Sequence, residues 1–219
     1  MRIEVSEACS GLGIFVAHTE VVDLKNGVNR FEEELKELEM RYKGEDVEKL
    51  KDLPIVRAYR DFYWKIGIDP TKVRPSGEAL RRRITRGNPL PRINDVVDAG
   101  NVVSADTLIS IGLYDLSKVV GEPRIVMSKG GEAFRGIGNK DEVLRPNVPI
   151  MMDESGQVMH IYPHRDSVVT SVTLSTEEVL IVGAGVRGIG EELVKDAVER
   201  TTKLLKSLGG KVVHEVRVN

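Results

Sequence analysis

Val179-Leu180-Ile181-Val182-Gly183-Ala184-Gly185-Val186-Arg187-Gly188 reads as a buried apolar strand that runs into a Gly-x-Gly-x-x-Gly turn and on toward a helix. Taken literally this is a dinucleotide fingerprint, in which the glycines allow close backbone approach and the following helix N-terminus receives a pyrophosphate. Glu215, on the final strand, then stands where a ribose-binding acid would be. A nucleotide-binding sheet needs several more parallel strands, and the residues after Gly188 hold only one helix-strand unit. The chain upstream shows no regular alternation of strands and helices either. We therefore read the stretch as a structural strand, turn and helix, expect no nicotinamide or flavin cofactor, and keep a cofactor site as the alternative.

A length of 219 residues suits one sizeable α+β domain with packed helices. The chain carries 32 Lys plus Arg against 34 Asp plus Glu, so affinity for nucleic acid must come from local charge. No run of about 18 apolar residues is present and Met1-Arg2-Ile3-Glu4 opens no apolar signal segment, which predicts a cytoplasmic protein without a membrane partner. The single cysteine, Cys9, can form no internal disulfide and reads as a small buried residue. Charged residues make up 30% of the chain and Gln157 is its one glutamine, a bias found in proteins from hot environments.

Along the chain, Gly13 to His18 reads as a strand, Val28 to Lys43 as a helix ended by Gly44, and Pro54 to Ile66 as a helix opened by proline. Ser76 is a plausible N-cap for a helix carrying Leu80 and Ile84, and a further helix can begin at Pro91 and run past Val103. Short strands follow at Pro123 to Met127, Val158 to Tyr162, Val168 to Leu174 and Val179 to Val182. A last helix, Glu191 to Leu208, stops at Gly209-Gly210 before a strand from Lys211 to Val218.

Two segments concentrate ionisable groups. Lys72, Arg74, Arg81, Arg82, Arg83, Arg86 and Arg92 face the single acid Glu78 between residues 72 and 92. A phosphate backbone rewards such a cluster through counterion release, and the competing reading is a solvated helix face paired with Glu32-Glu33-Glu34. The second segment is Met159-His160-Ile161-Tyr162-Pro163-His164-Arg165-Asp166-Ser167. If it is extended, His160, Tyr162 and His164 share one face, with Arg165 and Asp166 at the strand end. Such a face can line a pocket or be a hydrogen-bonded surface turn. Asp153 or Asp166 with the two histidines matches no known metal-ligand spacing, and Pro163 excludes a helical His-x-x-x-His pair, so no metal is expected.

The segment Leu90-Pro91-Arg92-Ile93-Asn94-Asp95-Val96-Val97-Asp98-Ala99-Gly100-Asn101-Val102-Val103 resembles the signature helix of the phenylalanyl-tRNA synthetase β-chain editing domain, the B3/B4 domain. Leu113-Tyr114-Asp115-Leu116 with Gly121, Gly131-Glu132, the Gly136 to Gly138 turn, Asp153 with Gly156, and Thr176 before Val179 follow in the family's order. Pro75-Ser76 with Leu80, Arg81 and Arg83 resembles the preceding helix. The likeness is clearest over residues 55 to 190, with 1 to 54 and 191 to 219 expected as peripheral strand and helices around a single domain spanning 1 to 219.

The resemblance implies a β-sandwich layer with helices against it and a pocket for the amino-acid end of a charged tRNA. It further implies a free-standing editing module, an aminoacyl-tRNA deacylase acting in translation rather than a complete synthetase, with tRNA as partner and no nucleotide cofactor. Ester hydrolysis needs a positioned water, and with no Ser-His-Asp or Cys-His pair visible by motif, His164, His160 and Asn94 are expected to position it. Tyr162, Arg165, Asp166, Asp98 and Asn101 are expected to contact the substrate, and Arg81, Arg82, Arg83, Arg86 and Arg92 the RNA. The family's histidine before the aromatic-Asp segment falls on Ile111 or Gly112, and its glycine-rich pocket strand on Tyr162 to Asp166, so the amino acid accepted should differ. A non-catalytic RNA-binding module and a binder or hydrolase of a small amino-acid derivative are the rival readings.

Overall fold

The computed structural model describes residues 1–138 and 140–219. In chain order the elements are β1 (Glu4–Val5), α1 (Glu7–Gly11), β2 (Phe15–Val22), α2 (Glu32–Tyr42), α3 (Pro54–Lys65), α4 (Ser76–Thr85) and α5 (Asp95–Thr107). They continue with β3 (Ser110–Asp115), β4 (Arg124–Met127), β5 (Ala133–Gly136), β6 (Lys140–Val143), β7 (Pro149–Met152), β8 (Val158–Ile161) and β9 (Arg165–Asp166). The chain closes with β10 (Val179–Gly185), α6 (Glu191–Lys206), β11 (Lys211–Val212) and β12 (Arg217–Val218).

β10 occupies the middle of a sheet ordered β11-β2-β10-β3, and it runs antiparallel to both neighbours. That pairing is incompatible with the parallel strand of a dinucleotide unit. All seven residues of β10 are buried, which explains its unbroken apolar run: both faces of the strand are covered. A side chain at Gly183 would come within 2.8 Å of Val198 and 2.9 Å of Val194 on α6, and one at Gly185 within 2.3 Å of the Phe15 ring. Close packing thus accounts for these two glycines.

A second sheet, β1-β4-β7-β8-β9, is antiparallel apart from the β1–β4 pair, and β5 with β6 forms a separate hairpin. Side chains from the two larger sheets share one core with α3, α5 and α6, including Val16, Tyr63, Val96, Ile125, Met159, Ile181 and Val194. The α+β class is as expected. Cys9 is fully buried. Among the described residues no helix is long and apolar enough to cross a membrane.

Several boundaries differ from expectation for local reasons. α5 starts at Asp95, because the Asn94 side chain caps Val97 N–H while Leu90 N–H is held by Glu39. Ser76 is the first helical residue of α4 and Pro75 its cap. Val168–Thr170 forms a 3-10 turn in place of a strand, opened by the Ser167 hydroxyl accepting from Val169 N–H at 3.3 Å. The final strand divides into β11 and β12, between which the His214 carbonyl accepts the Thr19 hydroxyl at 2.6 Å. The terminal segments, expected at the periphery, supply the central strand β2 and the helix α6 that packs over it.

Candidate active site

The start of α5 is held by its own polar residues. Asn94 Oδ1 accepts from Val97 N–H at 3.1 Å and from the Asn26 amide at 3.2 Å. Asp98 accepts Ile93 N–H at 2.9 Å, and burial, opposed by that bond, raises its pKa. Both residues are buried, 3% and 2% exposed, so they shape the helix from inside. The same helix turns Val97, Gly100 and Asn101 toward an outer cleft of about 310 Å³, whose other walls include Leu113, Val168 and Val172. Gly100 permits the close approach of α5 and β3, since a Cβ there would lie 2.7 Å from Leu113 Cδ1.

Beside this cleft lies a small inner cavity of about 40 Å³, and Ile111 and Asp166 line both. The β8–β9 corner makes one wall. The chain reverses at the cis Tyr162-Pro163 bond, and His164 N–H donates to Ile161 O at 2.8 Å. His160, Tyr162 and His164 do line one cavity, but a turn rather than a continuous extended strand brings them there. The opposite wall comes from β3 and β10, through Ser110, Gly112, Val182 and Ala184.

At the seam, one Asp166 carboxylate oxygen accepts the Tyr114 hydroxyl at 2.9 Å and meets His160 Nδ1 at 2.8 Å. Gly112 makes room for this set: a Cβ there would be 2.3 Å from the Tyr114 oxygen. Burial, reinforced by the Asp166 charge, holds the Tyr114 hydroxyl well above its usual pKa, so it stays a donor. A neutral His160 that donates through Nδ1 presents Nε2 as an acceptor. Ile111 and Gly112 line this cavity together with His160 of β8. Burial, then the charges of His160 and Arg165, lower the His164 pKa to about 3, which keeps its ring neutral.

The remaining candidates fall elsewhere. Tyr162 lines the inner cavity but gives its hydroxyl to Phe15 O and Gly185 O at 2.9 and 2.7 Å. Arg165 pairs with Glu142 and lies over the Phe134 ring, 5.1 Å from its centroid, away from both cavity walls. Among the described residues no group of three or more His, Cys, Asp or Glu side chains is placed to hold a metal.

The arginines do not form one exposed face. Arg81 and Arg82 are 4% and 8% exposed. Arg81 donates to Ala105 O and Asp106 O, both at 2.7 Å, and stacks on Tyr42. Arg82 donates to Val47 O at 3.0 Å and pairs with Glu48 and Glu78. Arg92 is clamped between Glu32 and Glu39. Arg83 and Arg86 are the exposed members of the helix end. Sequence reasoning did not single out Ser110, Gly112 or Tyr114 as site residues. Their hydroxyls and small size gain meaning only from what faces them across the sheet.

These features sit in a chain that belongs to the B3/4 domain family, whose profile matches residues 58–210. One relative, the phenylalanine-tRNA ligase beta subunit of Nitrobacter winogradskyi, is 32% identical over 82 residues, 37% of this chain and 10% of that protein. A solved N-terminal fragment of the phenylalanyl-tRNA synthetase beta-subunit from Pyrococcus horikoshii shares the fold, with a TM-score of 0.55 and 17% identity. That alignment covers 96% of this chain and 49% of the fragment. The chain thus spans about a tenth of the curated relative and about half of the solved fragment.

Proposed function

We propose that this chain is an editing-type domain that binds charged tRNA and hydrolyses the ester bond of a wrongly attached amino acid. Family membership supports the reading, and the observation that carries it is the His160–Asp166–Tyr114 set at the seam of two cavities. Ester hydrolysis needs a water aimed at the carbonyl and donors for the developing oxyanion, and it requires no protein nucleophile. His160 Nε2 takes a proton from water as the oxygen adds to the carbonyl, and Asp166 stabilises the imidazolium. Collapse of the tetrahedral intermediate releases the ribose oxygen, which recovers that proton. The outer cleft, with Asn101 at its edge, takes the terminal nucleoside, and the inner cavity takes the amino-acid side chain.

In this scheme Asn94 and Asp98 act by positioning α5, and His164 lines the pocket without serving as the base. Arg83 and Arg86, with the partly exposed Arg92, contact phosphates. Ser76 at the start of α4 lines the inner cavity, and Arg86 lies ten residues on, roughly 15 Å along the axis at 1.5 Å per residue. The decisive experiment is a panel of aminoacylated tRNAs incubated with the purified protein. At least one ester should lose lifetime, and Asp166→Asn should restore it; unchanged lifetimes throughout would remove the reading.

A second reading, a hydrolase of small amino-acid derivatives, is favoured by the burial of Arg81 and Arg82, which shrinks the surface available to RNA. It predicts equal kcat/KM on aminoacyl-adenosine and on the matching aminoacyl-tRNA, with no salt dependence.

A further inference from the structure

Two of the residues that line the inner cavity, Ser110 and His164, each hold a buried polar atom, Oγ and Nδ1, with no partner among the described residues. Ser110 is 4% exposed, and its backbone N–H is already held by the Tyr59 hydroxyl at 3.1 Å. The side-chain oxygen alone is left over. His164 stands edge-on to Tyr63, with ring centroids 5.8 Å apart, and its ring is neutral, so Nδ1 is one donor or one acceptor according to the tautomer. The surfaces around these atoms include Met151, Val182 and Ala184, all apolar. Buried polar atoms are normally paired, because desolvating one without a partner is costly. A small pocket of mixed lining, with Ser76, His160, Tyr114 and Asp166 beside these apolar side chains, suits a small ligand that carries a hydrogen-bonding group.

We propose that the inner cavity is a subsite for a hydroxyl-bearing aliphatic side chain, seryl or threonyl, whose O–H meets Ser110 Oγ and His164 Nδ1. A hydroxyl supplies one donor and two acceptor positions, which suits a serine oxygen and a neutral imidazole nitrogen together. The carbon atoms of the side chain lie on Val182, Ala184 and Met151. The space disfavours an aromatic occupant: the ring of His160 lies 5.9 Å from that of Tyr162 and 6.2 Å from that of Tyr114, so three rings already crowd the chamber. An isosteric valyl group fits the shape but leaves both polar atoms unpaired, and a site that hydrogen-bonds a substrate hydroxyl rejects the analogue lacking it. This inference rests on the editing reading for the reaction, while the subsite itself can be tested by binding.

Two measurements separate the two claims. The first compares deacylation of threonyl-, seryl-, valyl-, alanyl- and tyrosyl-tRNA. The second compares binding of non-hydrolysable 3′-amide-linked threonyl- and valyl-adenosine. The threonyl and seryl esters should be hydrolysed at least about tenfold faster than the valyl and alanyl esters, and the threonyl analogue should bind tighter by a similar factor. Ser110→Ala should erase the difference while the melting temperature stays equal or rises, because an unpaired buried hydroxyl is removed. Hydrolysis without a hydroxyl preference, or with a tyrosyl preference, overturns the subsite and leaves editing standing. Absence of hydrolysis with preferential binding of the threonyl analogue overturns editing and supports the subsite. Equal binding of the two analogues overturns the subsite. A lower melting temperature in Ser110→Ala with unchanged discrimination makes Ser110 Oγ a structural group, the anchor of a bridging water, and also overturns it.

Discussion

The β8–β9 corner and helix α4 are the two places where this chain concentrates ionisable side chains, and the fold treats them in opposite ways. At the corner, His160 and Asp166 meet at 2.8 Å on the wall of the inner cavity, and Asp166 also borders the outer cleft. On α4, the guanidinium groups of Arg81 and Arg82 turn inward onto backbone carbonyls and Glu78. The cause is geometric. The turn between β8 and β9 lines a cavity with its side chains, whereas α4 packs against α2, α5 and β3, and long arginines fill the gaps between them. A basic run on a helix is thus evidence of an RNA surface only for those positions that the packing leaves outside.

The hardest test of this contrast is Glu78, fully buried and bonded to Arg60 at 2.6 and 2.9 Å. Glu78→Ala removes the buried carboxylate that Arg60, Arg74 and Arg82 share and should cost about 3–5 kcal/mol in urea denaturation. A loss below about 1 kcal/mol would mean that the α4 charges are solvated after all. At the corner, Asp166→Asn should lower the single-turnover deacylation rate by about 10²-fold, since His160 loses its orienting acceptor. Its melting temperature should move little, because the side chain is 37% exposed. Equal falls in rate and folded fraction would make the corner merely structural.

Smaller effects sharpen the comparison. Arg81→Ala should destabilise by about 2 kcal/mol, through two unpaired carbonyls and lost stacking on Tyr42, without changing the salt slope of tRNA binding. A reduced slope at full stability would return Arg81 to the RNA surface.

His164 provides a pH test. Its folded pKa is about 3, while the unfolded chain protonates near the ordinary 6.5. Between these values the unfolded state binds more protons, so stability falls as pH drops, by up to about 1.4 kcal/mol per pH unit for this group. Denaturation of His164→Asn should lack that portion of the slope between pH 6 and 4, and parallel curves would show an imidazole that titrates freely. The smallest effects belong to Arg83→Ala and Arg86→Ala. Each should change stability by less than about 0.5 kcal/mol, and each should reduce the salt slope of tRNA binding by about 0.9.

Local sequence was informative wherever neighbours along the chain make the structure. The apolar run from Val179 to Gly185 is a buried strand, and Pro54 opens a helix. The Leu90 to Val103 signature lies on α5 and its lead-in, with Asn94 as the helix cap. The nine-residue ionisable cluster is the corner of a cavity. Val168 to Leu174 misled because its β-branched run meets β3 only at one isolated bridge, Ser171 with Tyr114. Thr173 and Thr176 instead tie the segment into a local loop, Thr176 Oγ1 accepting from Thr173 N–H at 2.9 Å.

By itself the sequence determined the α+β class and the two segments that carry ionisable chemistry, through periodicity and local charge, and the family, through the resemblance of several spaced motifs in one order. Only the tertiary structure decided that β10 is antiparallel to both its neighbours, that Tyr114 on β3 meets Asp166 on β9, and that Arg81 points inward. Each of these depends on which elements become neighbours in space. Strand direction is set by partners distant along the chain, Val179 pairing with Val21 and with Asp115, a hydrogen bond across two sheets joins positions 52 residues apart, and an arginine is turned inward by the helices packed around it.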